Sequence, residues 1–172
     1  IRSATTLTSD VFKAEEGGKL RLAIRAGVGI DNIDIPAGEG VGVTVRNTPA
    51  ASSDSVAELA IGHMFALARF IAISNYTMRN GEWNKKKYQG TEIAGKTLGI
   101  VGMGRIGQSL AKKATALGMT VIYYTIEGKH DDLDYDFVSL EEVLKNSDFI
   151  SLHVPYDKAA GSLIGKKELQ LM

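Results

Sequence analysis

The chain has no cysteine among its 172 residues. Disulfides, thiol nucleophiles and cysteine-ligated metals are therefore excluded, and no metal site is expected. It has no excess charge of either sign, since 20 Lys and Arg are matched by 20 Asp and Glu. That balance points away from a nucleic-acid partner and from a basic membrane-binding face. There is no internal repeat and no low-complexity tract. A long apolar run free of charge is also missing. The nearest approach, residues 56–73, carries Glu58, His63 and Arg69. Those side chains are costly in lipid, so the stretch reads as a buried helix and no membrane partner is expected. No targeting pattern is visible, which makes a cytoplasmic location the expectation.

What is present has two textures. Residues 1–50 are short segments punctuated by glycine, with strands expected at 20–24 and 41–45 and a tight loop at Gly27-Val28-Gly29. Residues 51–94 carry one long helix and a polar connector. Ser52, Ser53, Asp54 and Ser55 are all candidate N-caps, and Glu58 completes a capping box with Ser55. The helix is expected to run unbroken to Asn80-Gly81. Its apolar residues cover more than one stripe, so both faces should be buried, between domains or against a second copy. His63 on this helix reads as packed. The connector, with Lys85, Lys86 and Lys87, reads as a solvated loop anchored by Trp83 and Tyr88.

From residue 95 onward strands and helices alternate. Strands are expected at 97–101, 120–124 and 149–154, with a helix at 105–117. A second capping box, Ser139 with Glu142, opens a helix that ends at Asn146. Alternating β and α segments imply a parallel sheet covered by helices on both faces.

The most informative stretch lies at the first of these junctions. Leu98, Ile100 and Val101 form an apolar run that ends in Gly102-Met103-Gly104-Arg105-Ile106-Gly107. Ile106, Leu110, Ala114 and Leu117 then recur at helical spacing up to Gly118. In a strand–turn–helix setting the three glycines have separate tasks. Gly102 permits the tight turn, Gly104 lets a pyrophosphate approach the backbone, and Gly107 lets helix and strand pack closely. The helix N-terminus offers free N–H groups to the phosphates. An acid is expected at the end of the second strand to bond the ribose hydroxyls. Thr125 stands there instead, with Glu127 two residues on, then Lys129 and His130. Either Thr125 bonds the ribose without charge, or Glu127 replaces the acid.

Taken together, these segments resemble the D-isomer-specific 2-hydroxyacid dehydrogenases. The matching residues are Arg2-Ser3-Ala4-Thr5, Arg25-Ala26-Gly27-Val28-Gly29-Ile30-Asp31-Asn32-Ile33-Asp34 and Asn47-Thr48-Pro49 with Ser55-Val56-Ala57-Glu58-Leu59. Gly81-x-Trp83, the run from Gly90 through Gly95-Lys96 to Gly102, and His153-x-Pro155 complete the set. The resemblance implies an α/β fold: a doubly wound parallel (Rossmann) sheet with part of a second, flavodoxin-like substrate-binding domain. Residues 1–50 would belong to that second domain, 51–94 to an interdomain and dimer helix with its connector, and 95–172 to an incomplete dinucleotide-binding domain. The expected partners are a small 2-hydroxy acid and a second copy of the chain, joined through the 55–79 helix.

The resemblance also implies roles. Gly27, Val28 and Gly29 would bind the substrate carboxylate through their N–H groups. Arg2 and Arg25 would grip its phosphate or carboxylate by forked hydrogen bonds. The alternative for Arg25 is a surface ion pair with Asp31 or Asp34. Cofactor contacts fall to Val28, Gly102, Gly104, Arg105, Ile106, Gly107, Thr125, His153, Val154 and Pro155. The cofactor implied is NAD, with NADP not excluded because Thr125 replaces the usual aspartate. Ser52 replaces a frequent asparagine, a change of little weight because serine caps a helix equally well.

The arginine, glutamate and histidine of the family's catalysis would lie beyond residue 172, so no catalytic residue is assigned here. The chain reads as a piece of something longer. Its implied activity is NAD-dependent oxidation of D-3-phosphoglycerate, the entry to serine synthesis. The alternatives are another D-2-hydroxyacid dehydrogenase, or a dinucleotide-sensing corepressor-like protein on the same fold.

Overall fold

In the computed structural model of the protein, residues 1–155 and 161–172 are described. The chain divides into two compact units, Ile1–Ser53 and Asp54–Met172.

The first unit contains α1 (Ser9–Lys13), β1 (Leu22–Arg25), α2 (Ile35–Gly40) and β2 (Thr44–Asn47), with β1 and β2 paired in parallel. Phe12, Ala23, Ile33 and Val43 form its core. Both strands start later than their apolar runs suggest. Val41 and Gly42 are used to close α2, their N–H groups donating to the Gly38 and Glu39 carbonyls, so the chain is free to pair only from Thr44. The sequence reading overlooked α2. Its signal is Asp34, whose side chain accepts from Ala37 N–H at 3.1 Å, followed by Pro36 in the first turn.

The second unit contains α3 (Ser53–Ala68), α4 (Ile71–Arg79), β3 (Thr97–Val101), α5 (Arg105–Ala116), β4 (Thr120–Tyr124), β5 (Asp136–Phe137), α6 (Leu140–Asn146), β6 (Phe149–Leu152) and α7 (Lys166–Leu169). Its four strands are all parallel, in the order β5-β4-β3-β6. Counted from β3 this is the 3-2-1-4 half of a doubly wound sheet, and the order reverses between β3 and β6. The central strand is buried on both faces. Leu98 and Ile100 pack with Leu110, Ala111 and Ala114 of α5, while Val101 packs with Val143 of α6. Gly99 lets α6 come close, because a Cβ there would lie 2.7 Å from Val143 Cγ1. The Ser139–Glu142 capping box opens α6 as expected, with Glu142 N–H donating to Ser139 Oγ at 3.2 Å and Ser139 N–H to Glu142 Oε2 at 2.9 Å.

The single long helix is a misreading. It is two helices, α3 and α4, bent by 61°. Phe70 at the break is left-handed, with φ +55°. The cause is tertiary. The Ala68 carbonyl, which would have continued the helix, accepts from Thr91 N–H at 2.9 Å. Gly90 packs so close that a Cβ would sit 2.5 Å from that oxygen, and Tyr88 stacks on Phe70 at 5.8 Å. Helix α3 begins at Ser53, so Ser55 and Glu58 lie within it and do not open it. Within the single chain Ala57 and Met64 are buried, whereas Leu59 and Leu67 are exposed, and so is most of α4. His63 is exposed rather than packed. Among the described residues no single helix is long and apolar enough to cross a membrane.

Candidate functional site

The β3–α5 turn gives each glycine a physical reason. Gly102 has φ +97°, and a Cβ there would lie 2.5 Å from the His153 carbonyl oxygen and 2.9 Å from Val154 Cγ1. This is where the chain leaving β3 passes the chain leaving β6, at the reversal of strand order. Gly107 lies against the turn itself, its Cβ position 2.3 Å from the Gly102 carbonyl oxygen. Gly104 differs from both, because a Cβ there would meet nothing within 4 Å. It is the N-cap of α5, no side chain caps that helix, and its first turn carries no acid. Below the turn Met103 is fully buried, and Gln108 Nε2 donates to its carbonyl at 3.0 Å. Arg105 is exposed and Ile106 half-buried. Open space, uncapped N–H groups and the positive end of a helix dipole make a cradle that fits a dinucleotide pyrophosphate.

Around this turn the unit gathers the other candidates. His153 N–H donates to the Val101 carbonyl at 2.8 Å, which carries the His153-Val154-Pro155 segment beside the turn. Val154 is exposed. His153 Nε2 lies 2.9 Å from Ser151 Oγ. Burial pushes its imidazole below the ordinary histidine value of 6.5, since the charged form loses hydration. The folded protein therefore binds this proton less readily than the unfolded chain. Stability is expected to decline as pH falls from about 6.5 through the lower folded value, and NMR titration of the imidazole checks this. Thr125, just past β4, is buried.

The substrate candidates lie in the first unit. Arg25 ends β1, and its guanidinium lies over Gly27. Arg25 Nε is buried without a hydrogen-bond partner. Arg25 makes no ion pair with Asp31 or Asp34 among the described residues, and Asp34 is engaged as the cap of α2. The loop is tied down by residues to which the sequence reading gave no role. Asn47 Nδ2 donates to the Val28 carbonyl at 2.7 Å, and Gly27 N–H donates to Thr48 Oγ1 at 2.9 Å. Asn32 Nδ2 donates to the carbonyls of Arg2 and Thr5, while Ala26 N–H donates to the Ile1 carbonyl at 2.9 Å. Arg2 is thus anchored near the end of β1 that carries Arg25. Their signal was the polar pair closing the second strand, legible only with its partner loop in place. Val28 belongs to this unit, the other cofactor candidates to the second. Among the described residues no group of His, Asp and Glu could hold a metal ion.

A parallel 3-2-1-4 sheet with a glycine cradle at its switch point defines a dinucleotide-binding domain. Residues 61–172 match the family model described as D-isomer specific 2-hydroxyacid dehydrogenase, NAD binding domain. The chain belongs to this family, and its cofactor is NAD. It is 45% identical over its whole length to a hydroxypyruvate reductase of Thermotoga maritima, covering 56% of that protein. It is 43% identical to a D-3-phosphoglycerate dehydrogenase of Methanocaldococcus jannaschii, covering 100% of this chain and 33% of that one. A glyoxylate reductase of Thermococcus litoralis is also 43% identical, over 98% of this chain and 54% of its own. Among solved structures, a D-lactate dehydrogenase from Aquifex aeolicus complexed with NAD and lactic acid superposes with a TM-score of 0.83 at 32% identity, over 99% of this chain and 52% of that one. The chain spans between 33% and 56% of the length of these three relatives.

Proposed function

We propose that the intact protein is an NAD-dependent dehydrogenase that oxidises D-3-phosphoglycerate to 3-phosphohydroxypyruvate, the entry to serine synthesis. The observation that carries this reading is Arg25, held over Gly27 with Nε buried and unpaired, beside the anchored Arg2 segment. A buried guanidinium donor without a protein partner calls for an anion. In this reading Gly27, Val28 and Gly29 take the carboxylate through the backbone, and Arg2 and Arg25 take the phosphate. Gly102, Gly104, Arg105, Ile106 and Gly107 hold the pyrophosphate, Thr125 lies by the ribose, and His153, Val154 and Pro155 lie at the nicotinamide end. The cofactor accepts the hydride from substrate C2. This reading gives His153 no proton-acceptor role, since no carboxylate pairs with it among the described residues. No described residue of this chain is assigned as the general acid–base group.

A second reading, reduction of hydroxypyruvate or glyoxylate, is favoured by the identities to reductases of those acids. The two are separated by comparing 3-phosphohydroxypyruvate with hydroxypyruvate, which differ only in the phosphate. The proposal expects a specificity constant higher by about a hundredfold for the phosphorylated acid, the contribution of a pair of charged hydrogen bonds. Equal constants would favour the second reading.

The partner proposed is a second copy. Leu59 and Leu67 on α3, and Ile71, Ile73, Tyr76 and Met78 on α4, are exposed large apolar side chains on adjoining helices. A patch of that kind calls for a partner surface. Leu67 is 72% exposed, so Leu67→Asp is expected to convert a dimer into monomers in light scattering without loss of helix content. A monomeric wild type at micromolar concentration would refute the interface.

A further inference from the structure

The loop after β4 carries Glu127 three residues past the strand. The crevice beyond the C-terminal end of this second strand is where the adenosine ribose of a dinucleotide lies. Thr125, the first residue past the strand, is only 6% exposed. Glu127 stands on the surface, with 71% of its side chain exposed. The loop between them is pinned from below. Gly128 N–H donates to the Thr125 carbonyl at 3.3 Å, and His130 N–H donates to Tyr123 Oη at 2.9 Å. Tyr123 is fully buried, its ring edge-on to His130 at 6.1 Å and packed on Phe137 at 5.5 Å. A buried tyrosine hydroxyl needs a polar partner, and here the partner is the backbone of this loop. The His130 imidazole in turn lies 3.7 Å from Glu127 Oε2. Tyr123 therefore fixes the backbone of His130, whose imidazole faces Glu127 at a separation longer than a hydrogen bond.

We propose that Glu127, carried on the loop that Tyr123 pins, is the residue by which this domain rejects a 2′-phosphorylated dinucleotide. The inference rests on the NAD-binding reading of the domain. A carboxylate accepts a charged hydrogen bond from a ribose hydroxyl and repels a phosphate in its place. Thr125 is neutral and enclosed, so it does neither with charge. Lys129 is the cation on this loop that a 2′-phosphate would otherwise meet, and Glu127 offsets it. Asp131 and Asp132 follow His130 and lie outside the Tyr123–His130–Glu127 chain of contacts.

The test is titration of NADH and NADPH, by nicotinamide fluorescence, against the intact protein and four variants. Glu127→Gln is expected to shift the ratio of the two affinities toward NADPH by about tenfold or more, as loss of a charged contact implies. Glu127→Asp should recover part of that shift, and Asp131→Asn should leave the ratio as in wild type. Tyr123→Phe keeps the ring and removes the hydroxyl, so it should move the same ratio in the same direction by a smaller factor. A purely structural role would weaken both dinucleotides equally. An unchanged ratio in Glu127→Gln, or one that moves as far in Asp131→Asn, overturns the proposal. If wild type binds neither dinucleotide, the NAD-binding reading itself falls.

Discussion

Gly102→Ala is expected to cost the intact protein most of its NADH affinity, while Gly104→Ala costs affinity alone. The two positions separate strain from access. At Gly102 the backbone is left-handed, which costs a non-glycine residue about 1–2 kcal/mol. Its Cβ would also meet the His153 carbonyl carbon at 2.8 Å and the oxygen at 2.5 Å. Those are backbone atoms of the segment leaving β6, and they cannot rotate away. Relief requires the turn to open or that segment to move, and either displaces the cradle. We expect a fall in NADH affinity of about a hundredfold, together with a lower melting temperature, because strain and clash combine to a few kcal/mol. Gly104→Ala meets no atom within 4 Å, so its melting temperature should match wild type. The added methyl group would stand in the space assigned to the pyrophosphate, and NADH affinity should fall by about tenfold or more, as loss of one charged contact implies. Fluorescence titration and thermal melts on the same preparations check both. Unchanged NADH binding by Gly104→Ala would place the phosphates elsewhere.

Arg25→Ala is expected to lower the specificity constant for D-3-phosphoglycerate by about 10²–10³-fold, the scale for removing one member of a buried charge pair. Arg25 is not spent on a structural ion pair, since it makes none with Asp31 or Asp34. Its guanidinium is placed by packing on Gly27, and its Nε has no protein acceptor. Arg25→Lys keeps the charge but loses the planar fork, so it should restore only part of the activity. The loss should be smaller with hydroxypyruvate, which carries no phosphate. A loss of equal size on both substrates would assign Arg25 to the carboxylate. No loss on either would remove it from the site.

The legible parts of this fold are those in which local chemistry and tertiary packing agree. The run from Leu98 to Gly118 was readable because an apolar strand, three glycines and a helical period follow one another, and each glycine but Gly104 is also sterically required. The Ser139–Glu142 box was readable because its two hydrogen bonds are local. The break at Arg69-Phe70 left no local trace. It depends on Thr91, Gly90 and Tyr88, some twenty residues downstream. Strand β5 is two residues long and owes its place to pairing with β4. At the site, the Gly102–Gly107 pattern is legible from its spacing, whereas Arg2, Arg25 and the Gly27 loop enter only through the family resemblance. The structural tasks of Asn47 and Thr48, which hold the Gly27 loop, and of Asn32, which holds the Arg2–Thr5 segment, were not legible, because a polar side chain that bonds a distant backbone looks like any surface residue until the two are brought together. The Tyr123 latch was hidden for a related reason, since its apolar ring made it one more strand residue.

The most direct test of the central claim is NADH formation by the intact protein when D-3-phosphoglycerate and NAD are supplied together. The account predicts NADH accumulation that depends on both and is absent with L-3-phosphoglycerate. Tight NADH binding with no reduction of NAD by any D-2-hydroxy acid would contradict it, and would mark the protein as one that senses the dinucleotide without turning it over.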